Sequence, residues 1–369
     1  MRVFTVRDRG AVHDFITAGR SIARHNGSPL PNAASERSAF NPKALDKHDE
    51  KALFLLAPPA NGAPIPWGAR ALLVFPRFDS TARLGWFESI DDAATALPLL
   101  EHAATIAASR GAARILGPLD IHTWQRYRLV TGGWGPPPFV GEPQNPAWYP
   151  ALFKAAGFTE VERYVSALCT APHRHIAKAQ TLCDRYYSAG YRIRPFNPHK
   201  SDAELRSIHD ISLQAFPGGV LFRPLSFPEF KRLYKPILPF LHPGLCAFAV
   251  DPQGNDIGFV FGLPDYYALR ERDGSLRAKL RTLALRLAPL RLHPAAHYDR
   301  VILKTLAVRP GLRHVMPGPV LGSWLNQQVL DLGLSTLVHA LMHEDNYSRT
   351  LSAWSAEPFR SYALFGKDL

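Results

Sequence analysis

The feature that most constrains this chain is an alternation of short apolar runs with amphipathic stretches, met twice in the same order. In the first half, residues 52–56 and 71–75 are apolar runs bounded by Pro and Gly, and 84–88 reads as a third strand. From 92 to 109 the period changes. Leu97, Leu100, Ala104 and Ala107 fall on one stripe and Gly111 follows as a stop, which predicts a helix. Residues 113–117 return to a strand pattern, 132–146 form a loop dense in Gly, Pro and aromatics, 147–156 a helix, and 161–169 a closing strand. The second half reads as a strand at 191–195, helices at 203–216 and 227–238, and a hairpin joining 246–250 to 257–263. An apolar strand at 301–308 then leads through a Pro/Gly loop to a helix at 320–332, a strand at 336–342, a short helix at 347–354 and a last strand at 360–366. Strands interleaved with helices bury their apolar faces only as layers. The expected class is therefore α/β, as two lobes that each carry a mixed central sheet flanked by helices.

A length of 369 residues supports that division, at a prior of roughly 150 residues per domain. Hydrophobic residues at 46% and charged residues at 20% suffice for a sizeable core and argue against extended disorder. Lys and Arg number 43 against 31 Asp and Glu, a net +12, which places polyanions among the partners to consider: nucleic acid, phosphorylated cofactors or an anionic membrane face. Cys169, Cys183 and Cys246 are an odd number in a long chain, unlike a secreted disulfide framework. Residues 1–9 lack the apolar core of a signal peptide, and no apolar run approaches the ~18–20 residues that span a bilayer. The expected location is the cytoplasm.

The segment Leu306-Ala307-Val308-Arg309-Pro310-Gly311-Leu312-Arg313 resembles the acyl-coenzyme A-binding segment of the Gcn5-related N-acetyltransferase (GNAT) superfamily. In that family a strand ends in V-x-P and a loop R-x-x-G-x-G opens the next helix. Arg313-His314-Val315-Met316-Pro317-Gly318 lies at the matching spacing. His343-Glu344-Asp345-Asn346 resembles the end of the family's fifth strand, and 360–369 its last strand. Other stretches are similar to a two-lobed bacterial group within the superfamily: 84–88, Gly117-Pro118-Leu119-Asp120, Asn145-Pro146-Ala147-Trp148-Tyr149, Phe222-Arg223-Pro224-Leu225 and Leu263-Pro264-Asp265. The resemblance implies a GNAT-like lobe at 1–172 without a cofactor site, a linker helix at 173–190, and a lobe at 191–369 with an acyl-CoA site. It implies transfer of an acyl group, with acetyl-CoA as donor, to an amine of a small molecule or peptide.

The physical basis of such a site is explicit. Backbone N–H groups at a helix start make an anion-binding concavity suited to a pyrophosphate. The preceding strand bonds the pantetheine arm, and an N–H near Ala307 or Val308 meets the thioester oxygen as charge develops. The implied coenzyme contacts are Leu306, Ala307, Val308, Arg313, His314, Val315, Met316, Gly318 and Asn346. Met316 stands where the pattern has glycine, Pro317 and Pro319 lack an N–H, and Ala353 occupies the place of the family's tyrosine acid.

Glu344, with His343 beside it, is the candidate base for the attacking amine, or a strand-end carboxylate in water. Asn346 is equally an N-cap. Asp265 is read either as an anchor for the acceptor or as a turn former, and Tyr266, Phe222, Trp148 and Tyr149 either as acceptor walls or as packing. The spacing of Cys169, His173, His175 and Cys183 fits no standard zinc site, and His339 and His343 share a strand face with no third ligand, so no metal is expected. Residues 270–291, rich in Arg with a leucine stripe, predict a basic amphipathic helix, either packed on the core or docking an anion. A donor of another kind, aminoacyl-tRNA, is compatible with that charge and with a tandem fold. So is a catalytically silent binding protein.

Overall fold

The computed structural model describes residues 1–41, 50–77, 79–216, 222–238, 241–265 and 298–369. Tyr266 and the basic stretch 270–291 lie outside the described residues. The chain divides into two units. The first comprises 1–134, 143–163 and 362–369, and the second 135–142 and 164–361.

The first unit begins with β1 (Arg2–Thr5), α1 (Arg9–His25) and α2 (Ala33–Ala39), elements the sequence reading passed over. Asp8 starts α1 by accepting the Gly10 and Ala11 N–H groups, and Asn32 caps α2 likewise. Then follow β2 (Glu50–Ala57), β3 (Ala69–Pro76), β4 (Thr81–Ser89), α3 (Ala93–Ser109), β5 (Arg114–Gly117), β6 (Leu129–Gly132) and α4 (Tyr149–Ala155). Strands β1 to β4 pair antiparallel in order, and β4 pairs parallel with β5. Alternation along β2 sends Leu53 and Leu55 to one face, against Leu99, Leu100 and Ala103 of α3, and Phe54 and Leu56 to the other, against Phe15 and Ile16 of α1. A strand covered on both faces is apolar throughout, which is why 52–56 and 71–75 read as unbroken runs.

The chain continues through β7 (Thr159–Cys169), α5 (Pro172–Ser188), β8 (Arg192–Pro195), α6 (Ser201–Ala215), α7 (Phe227–Tyr234), β9 (Cys246–Val250), β10 (Asp256–Pro264), β11 (Val301–Val308), α8 (Pro317–Asp331), β12 (Leu337–His343), α9 (Ser348–Ser352) and β13 (Ala356–Asp368). In the second unit the order is β8-β9-β10-β11-β12-β7, antiparallel except for β11 beside β12. Helices α5 and α8 cover one face through Ala179, Cys183, Leu321 and Leu325. On the other face Phe139 packs with Ile302 and Val338.

Phe139 belongs to 135–142, a segment that the lobe boundary at 172 placed in the first half but that the second unit holds. Arg360 pairs with the buried Glu142 at 2.6 Å and donates to the Pro136 carbonyl. Arg300 pairs with Asp265 at 2.7 Å and donates to the Pro138 carbonyl, while Asp265 accepts the Val140 N–H. Conversely, Phe365–Asp368 at the chain end pair with β5 in the first unit. A lobe boundary drawn from the sequence pattern puts that strand in the second lobe, whereas it completes the first unit.

Candidate functional site

In each unit a parallel pair of strands opens into a fork. In the second unit β11 and β12 pair only through Val301–Leu337, Ile302–Val338 and Leu303–His339. Beyond that point β11 stays on β10, with Lys304 as an extra residue between the Phe261–Thr305 and Gly262–Leu303 partners. The bulge reverses which residues face β10. Arg309 donates to the Ile257 carbonyl, so Ala307 and Thr305 face β10 in the same phase. The N–H groups of Leu306 and Val308 therefore face the open side of the fork, and that of Ala307 is taken by the ladder. Strand β12 turns away on its own irregularity between His339 and Met342, where Leu341 has φ 57°.

The loop after β11 turns at Gly311 (φ 80°), makes a single 3-10 turn at Arg313–Val315 and enters α8. Met316 precedes the helix at φ 58°, ψ 38°, the left-handed conformation for which the family pattern carries glycine. The turn thus survives its methionine. Gly318 lies in the first turn, where an N–H has no intrahelical partner, while Pro317 and Pro319 have none to offer. A Cβ at Gly318 would touch Leu351 and Leu306 at 3.5 and 3.7 Å, so α8, α9 and β11 converge there. The backbone N–H groups of Leu306 and Val308 thus face the open side of the fork, and those of Met316 and Gly318 lie at the start of α8.

The first unit builds the same fork and fills it. Strands β4 and β5 pair through Thr81–Arg114, Ala82–Ile115 and Arg83–Leu116. Beyond, the Leu119 N–H donates to the Leu84 carbonyl and Asp120 accepts the Trp86 N–H at 2.6 Å. A Cβ on Gly85 would lie 2.6 Å from the Leu119 carbonyl oxygen, so only glycine admits this plug. Burial pushes the Asp120 carboxyl up, against the opposing pull of Arg126 and the Trp86 N–H.

Of the other residues singled out in the sequence, His314 is exposed and its Nδ1 donates to the Gly311 carbonyl. Val315 packs on the core of its unit, and the Arg313 side chain lies outside the described residues. Glu344 is exposed, 3.7 Å from Arg349. His343 packs edge-on against Tyr164 and accepts the Asp345 N–H, and Asn346 caps Ser348. Asp265 is engaged by Arg300 and Val140, a holding role set by its near-complete burial. Tyr149 is core, its hydroxyl bridging the Ser89 N–H and carbonyl, and Trp148 packs beside it. Phe222 is half-buried ahead of α7. Among the described residues no group of three or more His, Cys, Asp or Glu side chains is placed to hold a metal ion, and no helix is long and apolar enough to cross a membrane.

One cluster was not read from the sequence. His339, the last β12 residue paired with β11, lies buried with its Nδ1 2.7 Å from Ser352 Oγ. His175 of α5 lies close by, its Nε2 donating to the Pro319 carbonyl at 3.3 Å. His339 Nε2 and His175 Nδ1 are buried without a partner. Burial, and then the charge of His175, push the His339 imidazole down to about 3. Burial lowers His175 too, against the Pro319 carbonyl and with Lys178 opposing a second charge. With an ordinary value of 6.5, His339 gains a proton on unfolding anywhere between about 3 and 6.5. Stability is full above that window and falls by about 1 kcal/mol per pH unit as pH drops through it. His339→Gln is expected to flatten this acid limb in urea titrations at neutral and mildly acidic pH; an equal loss in the variant would contradict it.

No protein-family model matches the sequence, and no curated protein matches it. Solved structures do. A tandem GNAT protein from the clavulanic acid biosynthesis pathway aligns over 100% of this chain and 98% of its own, with a TM-score of 0.51 at 11% identity. A probable N-acyltransferase from Enterococcus faecalis V583 aligns over 100% of this chain and 72% of its own, with a TM-score of 0.50 at 9% identity. At such identities the likeness is one of architecture: the chain has a tandem GNAT-like fold.

Proposed function

We propose that the second unit is an N-acyltransferase that takes an acyl group from acyl-CoA, with acetyl-CoA as the donor, and passes it to the amine of a small molecule or peptide. The observation that carries this reading is the contrast between the forks. The first is occupied by Leu119 and Asp120, whereas among the described residues no strand pairs with the edge of β11 at Leu306 and Val308 beyond Leu303. The first unit is accordingly read as lacking a donor site.

When bound, the thioester supplies an activated carbonyl and a thiolate leaving group. Leu306 holds the arm of the donor through its backbone, and the Val308 N–H meets the carbonyl oxygen. That donor is fixed by the β10 ladder before substrate arrives, so it stabilises developing negative charge without reorganisation. Met316 and Gly318 offer N–H groups at the start of α8, where the helix dipole favours a diphosphate. His314 and Arg309 add basic character around the loop. Glu344 stands in solvent beside Arg349 and, with His343, is read as the base that takes the amine's proton through water.

Calorimetric titration with acetyl-CoA and, separately, with aminoacyl-tRNA tests the assignment. Saturable acetyl-CoA binding that is lost when the β11 edge is altered is expected. Salt-sensitive binding of tRNA with none of the coenzyme would overturn it.

A further inference from the structure

We propose that the second unit holds a small-molecule site apart from the fork, a cavity that takes a small aromatic carboxylate. The cavity has a volume of about 350 Å³ and lies between the segments 196–199 and 242–244. The two meet at one end of the sheet. The Phe196 N–H donates to the Cys246 carbonyl, just past the last β8–β9 pair of Pro195 and Ala247. Strands β9 and β11 each run antiparallel to β10, and so parallel to one another, with β10 between them. The cavity lies where β9 begins, whereas the loop into α8 follows where β11 ends. Its ligand is therefore bound away from any held by that loop.

The walls are apolar and stiff. Phe196 is buried. Each segment enters a single 3-10 turn through a proline, Pro198 at Pro198–Lys200 and Pro243 at Pro243–Leu245, and the fixed φ of each proline holds its ring in place. The polar groups on these walls are donors. Asn197 accepts the His199 N–H on its Oδ1 at 3.0 Å, so the side-chain amide has its NH₂ to offer. His199 is exposed at the rim. The ring of half-buried His242 lies over Gly244, where a Cβ would stand 3.2 Å from His242 Nδ1 and 3.3 Å from Gln328 Oε1 of α8. Each imidazole carries at least one N–H. Among the described residues that line the cavity there is no Asp, Glu, Lys or Arg.

That composition selects the ligand. Apolar walls with a few convergent polar groups suit a small organic molecule, and the flat faces of phenylalanine and proline suit a ring. Amide and imidazole donors with no acid beside them favour a group that only accepts, and the two oxygens of a carboxylate match them. A polyphosphate would require arginine or lysine on the lining, and an ammonium would meet donors facing its own.

Benzoate is the probe, with benzyl alcohol and benzylamine as its neutral and cationic analogues. Binding to the full chain is followed by ligand-observed NMR and calorimetry. Benzoate is expected to bind saturably with a Kd on the order of 1 mM, the reach of so small a ligand, and benzylamine at least about tenfold more weakly. His199→Leu and His242→Leu keep apolar bulk and delete the ring nitrogens. Each is expected to weaken benzoate about tenfold, the loss of one hydrogen bond to a charged group, while benzyl alcohol changes little. Absence of saturable benzoate binding, benzylamine binding as tightly as benzoate, or benzoate affinity unchanged in both variants would overturn the site. Displacement of benzoate by coenzyme A would place it in the fork and overturn it as well. If His242→Leu fails to fold, His199→Leu, at the exposed rim, carries the comparison, and an unchanged benzoate affinity there overturns the site.

Discussion

Val308→Pro is expected to lower the rate of acyl transfer by about 10²–10³-fold, the cost of removing one preorganised oxyanion donor, with KM for the donor changed far less. Proline deletes the N–H and also fixes φ at about −65°, a restriction that the control Ala307→Pro shares. At position 308 that N–H faces the open side of the fork, because the β10 ladder uses Ala307 and Arg309 in the other phase. The strand therefore keeps its hydrogen bonds. Ala307→Pro is the matching control: it breaks the ladder and is expected to show as lost stability rather than lost turnover. Steady-state rates alongside thermal melts separate the two. Full activity in Val308→Pro would remove Val308 from the reaction.

The second large effect concerns stability. Arg360→Met is expected to destabilise the protein by about 3–5 kcal/mol, because it leaves the carboxylate of Glu142, whose side chain is fully buried, without its guanidinium. The variant also releases the Pro136 carbonyl, so 135–142 loses one of its two arginine clamps. The double variant Arg360→Met/Glu142→Leu is expected to recover most of the loss, since replacing both partners removes the stranded charge. Denaturant titration of the three proteins gives the answer. A single variant no less stable than wild type would show that 135–142 does not depend on the Arg360–Glu142 pair.

What the sequence made legible follows from what local pattern encodes. The apolar run at 71–75 and the largely apolar stretch at 301–308 announced strands, and Asp251 to Asn255 announced a hairpin, closed in the structure by Asp251 accepting the Asn255 N–H. The order of motifs located the fork and the loop. Helix α1 was missed although Asp8 and the stripe of Phe15 and Ile22 were there to read. Partners far apart in the chain were beyond local pattern. Asp265 looked like a site residue because a strand-end carboxylate is indistinguishable from one until Arg300, 35 residues on, is seen beside it. Arg360 finds Glu142 across 218 residues. His339 was weighed only with His343, whereas its partner Ser352 lies beyond the strand, and the bulge between His339 and Met342 turns His343 to the other face. Leu119 and Asp120 were read as a family turn, and only the structure shows that this turn closes a fork.

The proposed function requires that the edge of β11 beyond Leu303 receive an acyl thioester and that the first fork not do so. Amide hydrogen exchange with and without saturating acetyl-CoA measures it residue by residue. The amides of Leu306 and Val308 are expected to slow on binding, while Ala307, already bonded to β10, and Trp86, already bonded to Asp120, stay unchanged. Bound coenzyme that leaves Leu306 and Val308 exchanging freely, or that protects residues 84–86 instead, would contradict the account.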